Sequence, residues 1–164
     1  MSVFNRNSRF RPFLLGVFQT MLVLFCAAPG LLEAQAANGT QACGGNSTVD
    51  ALGAQTAMSA RAFLAQLQAA VQSNNKEQIE AMINYPLLVL RSGKRSRIQK
   101  KQAFLASYGQ IFTSPVREAV LHQTGQCLFG NSSGAMVGNG EVWFREQAPG
   151  QWKIITINQS ASTP

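Results

Sequence analysis

Histidine and aspartate are almost absent from this 164-residue chain: His122 is the only one of the first kind and Asp50 the only one of the second. A zinc or comparable centre needs three or four convergent ligands, so one histidine without a carboxylate or thiol cluster beside it argues against a metal site. No other cofactor is expected. Neither Gly-x-Ser-x-Gly nor a phosphate-cradling glycine loop is present, and no cysteine sits beside the histidine, so the common nucleophile and nucleotide signatures are missing. Continuous apolar runs are short as well. The longest candidate is interrupted by Gln19-Thr20 and again by Pro29-Gly30, whereas a membrane span wants about 20 apolar residues in a row.

What that first stretch does have is the pattern of an export signal. Arg6, Arg9 and Arg11 precede the apolar segments Phe13–Phe18 and Met21–Phe25, and small residues lead to Ala34-Gln35-Ala36. A basic head, an apolar core and an A-x-A site predict cleavage after Ala36 and a periplasmic or extracellular destination, with an uncleaved anchor as the alternative. Removing Arg6, Arg9, Arg11 and Glu33 from the 14 basic and 7 acidic residues leaves 11 and 6, a net of +5. Cys26 leaves with the signal, so Cys43 and Cys127 remain as an even pair for an oxidising compartment. A bridge between them would pin the segment before Ser59 to the strand at Leu128-Phe129. The competing reading is that both stay free on a mobile tether.

Residues 37–58 are Gly, Asn, Gln, Thr, Ser and Ala with few large apolar side chains, which predicts a tether that buries too little to order itself. The domain is expected over 59–160, with a tail at 161–164. Phe63, Leu64, Leu67 and Val71 recur at helical spacing. Asn75, with Gln78 three residues on, caps a second helix whose stripe is Ile79, Met82 and Ile83 and which Tyr85-Pro86 stops. Leu87–Arg91 reads as a strand turned by Ser92-Gly93 into Arg95–Ile98. A third helix carries Phe104, Leu105, Tyr108, Ile111 and Phe112, and Thr113-Ser114-Pro115 ends it. Val116–Gln123 fits either a short helix or a strand. From Cys127 onward the chain reads as strands, culminating in a hairpin about Ala148-Pro149-Gly150. Pairing Glu146 with Trp152 would set Phe144 against Ile154, Val142 against Thr156 and Trp143 against Ile155. Both faces of that hairpin carry large apolar side chains, so one should pack under helices and the other should line a cavity or meet a partner.

Two helices, a short hairpin, a helix and then longer strands make an α+β order, with helices packed on one face of a strongly curved mixed or antiparallel sheet. With Asn84-Tyr85-Pro86, Phe104-Leu105…Tyr108…Ile111-Phe112, Gly138–Phe144 and Trp152-Lys153-Ile154, the chain resembles the nuclear transport factor 2-like superfamily. That cone-shaped fold is shared with ketosteroid isomerase and the SnoaL-like cyclases. The resemblance implies a sheet curled around a pocket, here lined by Tyr85, Phe104, Trp143 and Trp152, although core packing is the plainer role for each. Enzymes of this superfamily commonly use an aspartate inside the cone, and Asp50 falls outside the expected domain. The remaining catalytic set is Glu141 as base, Tyr108 or Tyr85 as donor and His122 assisting. Against it stands the reading of Glu141 as a rim or ion-paired residue.

Arg91, Lys94, Arg95, Arg97, Lys100 and Lys101 place six positive charges within eleven residues. Such a cluster suits an anionic surface, or is simply a solvated face. No aromatic residue interleaves it, so nucleic acid is not expected. A cone-type fold of the kind the resemblance implies, without the aspartate-based catalytic set expected in it, favours a non-enzymatic domain that binds a small apolar molecule or a protein partner, with a sheet-mediated homodimer as one form. An isomerase, dehydratase or cyclase-like enzyme built on Glu141 is the alternative.

Overall fold

The computed structural model describes Cys43 and residues 48–161. The expected signal segment and its cleavage point lie outside the described residues. Helices pack on one face of an open, six-stranded mixed sheet, as the order of apolar patterns implies. The strands run in the order β2-β1-β6-β5-β4-β3, with β1 (Ile83–Arg91), β2 (Lys94–Ile98), β3 (Phe129–Asn131), β4 (Gly134–Val137), β5 (Val142–Ala148) and β6 (Gln151–Asn158). Every neighbouring pair is antiparallel except β1 with β6.

The expected tether is shorter than its composition suggested. A 3₁₀ turn, Val49–Leu52, follows the bridge between Thr48 and Phe129, and Val49 is fully buried. Helix α1 (Ala54–Gln72) starts before Ser59 and already buries Ala57. Small size concealed these residues: an alanine reads as filler in sequence but lets a helix lie close to a sheet. Cys43 and Cys127 form a disulfide with Cα atoms 5.0 Å apart, inside the range a bridge requires.

α1 buries Ala60, Phe63, Leu64, Leu67, Ala70 and Val71, one stripe at the spacing of 3.6 residues per turn. It ends in a Schellman arrangement: Asn74 is left-handed (φ 52°), its N–H reaches Val71 O, and Asn75 N–H reaches Ala70 O. Asn75 then caps α2 (Lys76–Ala81), its side chain accepting from Gln78 N–H at 2.9 Å. The sequence reading extended this helix through Ile83, but Ile83, Asn84 and Tyr85 open β1 instead. Proline forces its predecessor out of helical geometry, and the β1–β6 register shifts between Ile83 and Leu88, where Pro86 can sit without donating to the ladder.

Ser92 and Gly93 both take positive φ and turn β1 into β2. The single third helix expected is two pieces, α3 (Lys101–Ala106) and α4 (Tyr108–Ile111), broken at Ser107. Its apolar stripe survives the break, with the rings of Phe104, Tyr108 and Phe112 packed on one another. Val116–Gln123 resolves as helix α5 (Ser114–His122); Pro115 stands in its first turn and so starts this helix as much as it ends the last.

In the final hairpin Glu146 faces Trp152 and Phe144 faces Ile154 as expected, but Val142 pairs with Ile157 and Trp143 with Thr156. One extra residue, Ile155, is accommodated as a bulge between these pairs. The inner face carries Leu87, Val89, Val142, Phe144, Ile154 and Ile157, all buried. Phe63 of α1 meets Phe144 at a centroid distance of 4.8 Å.

Candidate functional site

Glu141 is only 3% exposed. It sits at the end of the Gly138-Asn139-Gly140 turn that joins β4 to β5, and its Oε2 accepts the Asn139 N–H at 2.6 Å. The turn is tied down from α5 as well, where Gln123 Oε1 accepts the Gly138 N–H at 2.8 Å. A Cβ on Gly138 would collide with the Glu141 carboxylate, so that carboxylate is folded against its own turn. Pro115, Glu118, Ala119, His122, Gly138, Asn139 and Glu141 surround a surface depression of about 490 Å³. Two of the three expected catalytic residues therefore share one wall.

The third does not join them. Tyr108 is half-buried among the rings of Phe104 and Phe112, and its hydroxyl accepts from Arg117 Nη1 at 3.3 Å. Arg117 lies at the start of α5 and also donates to Asn74 Oδ1 and Val71 O, whereas His122 is at the far end of that helix. Burial pushes the Tyr108 hydroxyl pKa up, against the opposing pull of Arg117. The phenol is a brace between α4, α5 and the end of α1. Proton-transfer chemistry needs a donor aimed at the reacting position, and the Tyr108 hydroxyl is engaged by Arg117 instead.

The four residues expected around a pocket separate in the same way. Phe104 is fully buried in the ring cluster. Tyr85 donates its hydroxyl to Glu80 Oε1 at 3.3 Å, and Lys101 Nζ meets Glu80 Oε2 at 2.8 Å. Burial, followed by the Glu80 charge, pushes the Tyr85 pKa well up. Glu80 is itself buried, and no local pattern in the sequence signals it, because its partners come from β1 and α3. Trp152 is 4% exposed. It donates Nε1–H to Ser59 Oγ at 3.0 Å and packs edge-on against Phe144. It floors a depression of about 380 Å³ between α1 and the β5–β6 turn, with Ser59, Gln66 and Lys153 on the walls.

Trp143 belongs to the opposite face of the sheet. Cross-strand partners share a face, so the register places Arg97 with Leu88, Arg95 with Leu90, Leu88 with Thr156, and Thr156 with Trp143. Trp143 is followed by Met136 and then Phe129, whose ring it meets edge-on. The bulge adds Ile155 to this surface beside Thr156. Leu88, Leu90, Trp143, Arg145, Ile155 and Thr156, with Ser133 and Asn158, enclose a trough of about 360 Å³. Among the described residues no helix covers it.

The basic cluster is only partly available. Arg91 donates to Gln159 Oε1 and Gln110 O, and Lys101 is held by Glu80. Lys94, Arg95, Arg97 and Lys100 stay exposed. Among the described residues no group of three or more His, Cys, Asp or Glu side chains gathers as metal ligands, and no helix is long and apolar enough to cross a membrane.

Comparison with protein-family models, with curated proteins and with solved structures finds no match. The function rests on the geometry.

Proposed function

We propose that this chain is a non-enzymatic binding domain and that its site is the open face of the sheet. The observation that carries the reading is the uncovered trough of Leu88, Leu90, Ile155 and Trp143. A sheet normally buries an apolar face, and one left open with an aromatic floor is suited to an apolar guest. Its volume, about 360 Å³, falls within the span typical of small-molecule sites. Tyr108, whose hydroxyl meets Arg117 and which does not line the depression at Glu141 and His122, supports binding over catalysis. The resemblance to the nuclear transport factor 2-like superfamily enters as part of this proposal, supported by the α+β order and the helices on one face. The Cys43–Cys127 disulfide supports an exported location, since such bonds persist in oxidising compartments.

A titration with the neutral dye Nile red tests the site. Saturable binding of one dye per chain is expected, lost in the Leu90→Asn/Ile155→Asn double variant while far-UV circular dichroism is unchanged. Dye binding that survives this change, or fails in the parent protein, overturns the assignment. The alternative reading, chemistry at Glu141, draws on the wall Glu141 shares with His122. It would require Glu141→Gln, and not the trough variant, to abolish a turnover.

A further inference from the structure

The open face carries cations and no acid. Six of the chain's seven acidic residues are described, and all of them lie away from the trough. Asp50 pairs with Arg61 beside α1, Glu77 and Glu80 are on α2, Glu118 is on α5, and Glu141 is folded into its turn. Glu146 faces Trp152, on the helix side, and accepts the Gly150 N–H. Arg95 and Arg97, by contrast, stand on the trough's own face, opposite Leu90 and Leu88, and Arg145 lines the trough itself. Among the described residues these three arginines have no hydrogen-bond or ion-pair partner from another side chain.

Deepening the reading of the sheet face as a binding site, on which this inference rests, we propose that its occupant is a single-chain amphipathic anion, a fatty-acid-like carboxylate. Its head is held by Arg95 and Arg97 and its apolar chain crosses Leu88, Leu90 and Ile155 to end on Trp143. The two arginines are two residues apart on one strand face, roughly 7 Å along the chain, close enough for both flexible side chains to reach one carboxylate. From β2 across β1 and β6 to β5 is three strand spacings, about 14 Å, which a linear chain spans and a compact anion does not.

Two other occupants fit worse. The trough's apolar residues are half-buried, while the large apolar side chains that do stand out, Met58 (60% exposed) and Leu121 (37%), are on helices α1 and α5. A membrane-inserting face needs protruding apolar groups where this one is recessed. A second copy docked face to face would oppose arginines to arginines, with no carboxylate on either surface to meet them.

Calorimetric titration of the full chain with monomeric dodecanoate and with uncharged dodecyl maltoside, both below their micelle concentrations, decides the matter. The expected result is one dodecanoate per chain, bound at least tenfold tighter than the maltoside. The preference should shrink with added salt and vanish in Arg95→Gln/Arg97→Gln. Trp143 emission should shift on binding; Trp143→Phe removes that signal and leaves Trp152 as an unresponsive control. Equal affinity for the two amphiphiles, or unchanged dodecanoate binding in the arginine variant, overturns the anion while leaving an apolar sheet-face site intact. Binding of neither amphiphile, together with no Nile red binding, removes both readings. Association with phosphatidylglycerol vesicles but not with monomeric dodecanoate also overturns the proposal and makes the face a membrane-docking surface.

Discussion

Glu141 is a buried carboxylate held against its own turn. Its apolar neighbours Val142 and Phe144 made burial legible in the sequence, and burial is what the fold gives it. The sequence could not reveal that the carboxylate would accept from Asn139, two residues back in its own turn. Glu141→Ala is expected to lower stability by about 1–3 kcal/mol through loss of a charge-assisted acceptor, with Glu141→Gln costing less and neither changing Nile red affinity. Urea unfolding and dye titration of the two variants measure this. Asp50 offers a second test. The hydrogen bond from Arg61, then that from Thr48, holds its carboxyl pKa below the ordinary 3.8. A depressed folded value means the contact stabilises above the unfolded pKa and is lost as pH falls through the folded one. The stability gap between the parent protein and Asp50→Asn should therefore be present at about pH 6 and gone by about pH 2. Tyr108 lies on the apolar stripe that its spacing from Phe104 and Phe112 announces. Its hydroxyl's partner, Arg117, comes from the next helix, and no local pattern announces it.

At the scale of elements, what was local was legible and what depended on a distant neighbour was not. The α1 stripe, the Asn75 cap and the Ser92-Gly93 turn each have their cause within a few residues. The bulge at Ile155 does not: it follows from how β5 and β6 must both satisfy the inner core, and an ungapped alternation cannot show it. Likewise the 3₁₀ turn at Val49 was hidden in an apparently unstructured stretch because its anchor is β3, some eighty residues away. Gly130 makes that anchorage possible, since a Cβ there would lie 2.6 Å from Val49 Cα, a backbone atom that cannot swing aside. Gly130→Ala should push the Val49 segment off β3 and cost about 1–3 kcal/mol, as overpacking does. Thermal unfolding gives the loss, and faster amide exchange confined to 48–53 shows where it occurs. A uniform destabilisation with those amides still protected would contradict the account.

Across the whole molecule, the disulfide and the sheet order act over the longest separations. The bridge spans 84 residues, and closing a loop of that length can stabilise by at most about 4–5 kcal/mol through the unfolded chain. Reduction, or Cys127→Ser, is expected to lower the urea midpoint by part of that amount while the cooperative transition persists, because the core of α1 and the sheet contains neither sulfur. The helix-on-sheet layering was readable in advance from the order of patterns. The strand order was not, since nothing in a strand's own residues says which distant strand lies beside it. That order has one further effect. β6 is the last of the described strands and occupies the middle of the sheet, between β1 and β5. Until it is made, the β1-β2 hairpin and the three-stranded β3-β4-β5 meander are two fragments with no common edge. A chain cut after Pro149 therefore has no completed sheet to fold onto.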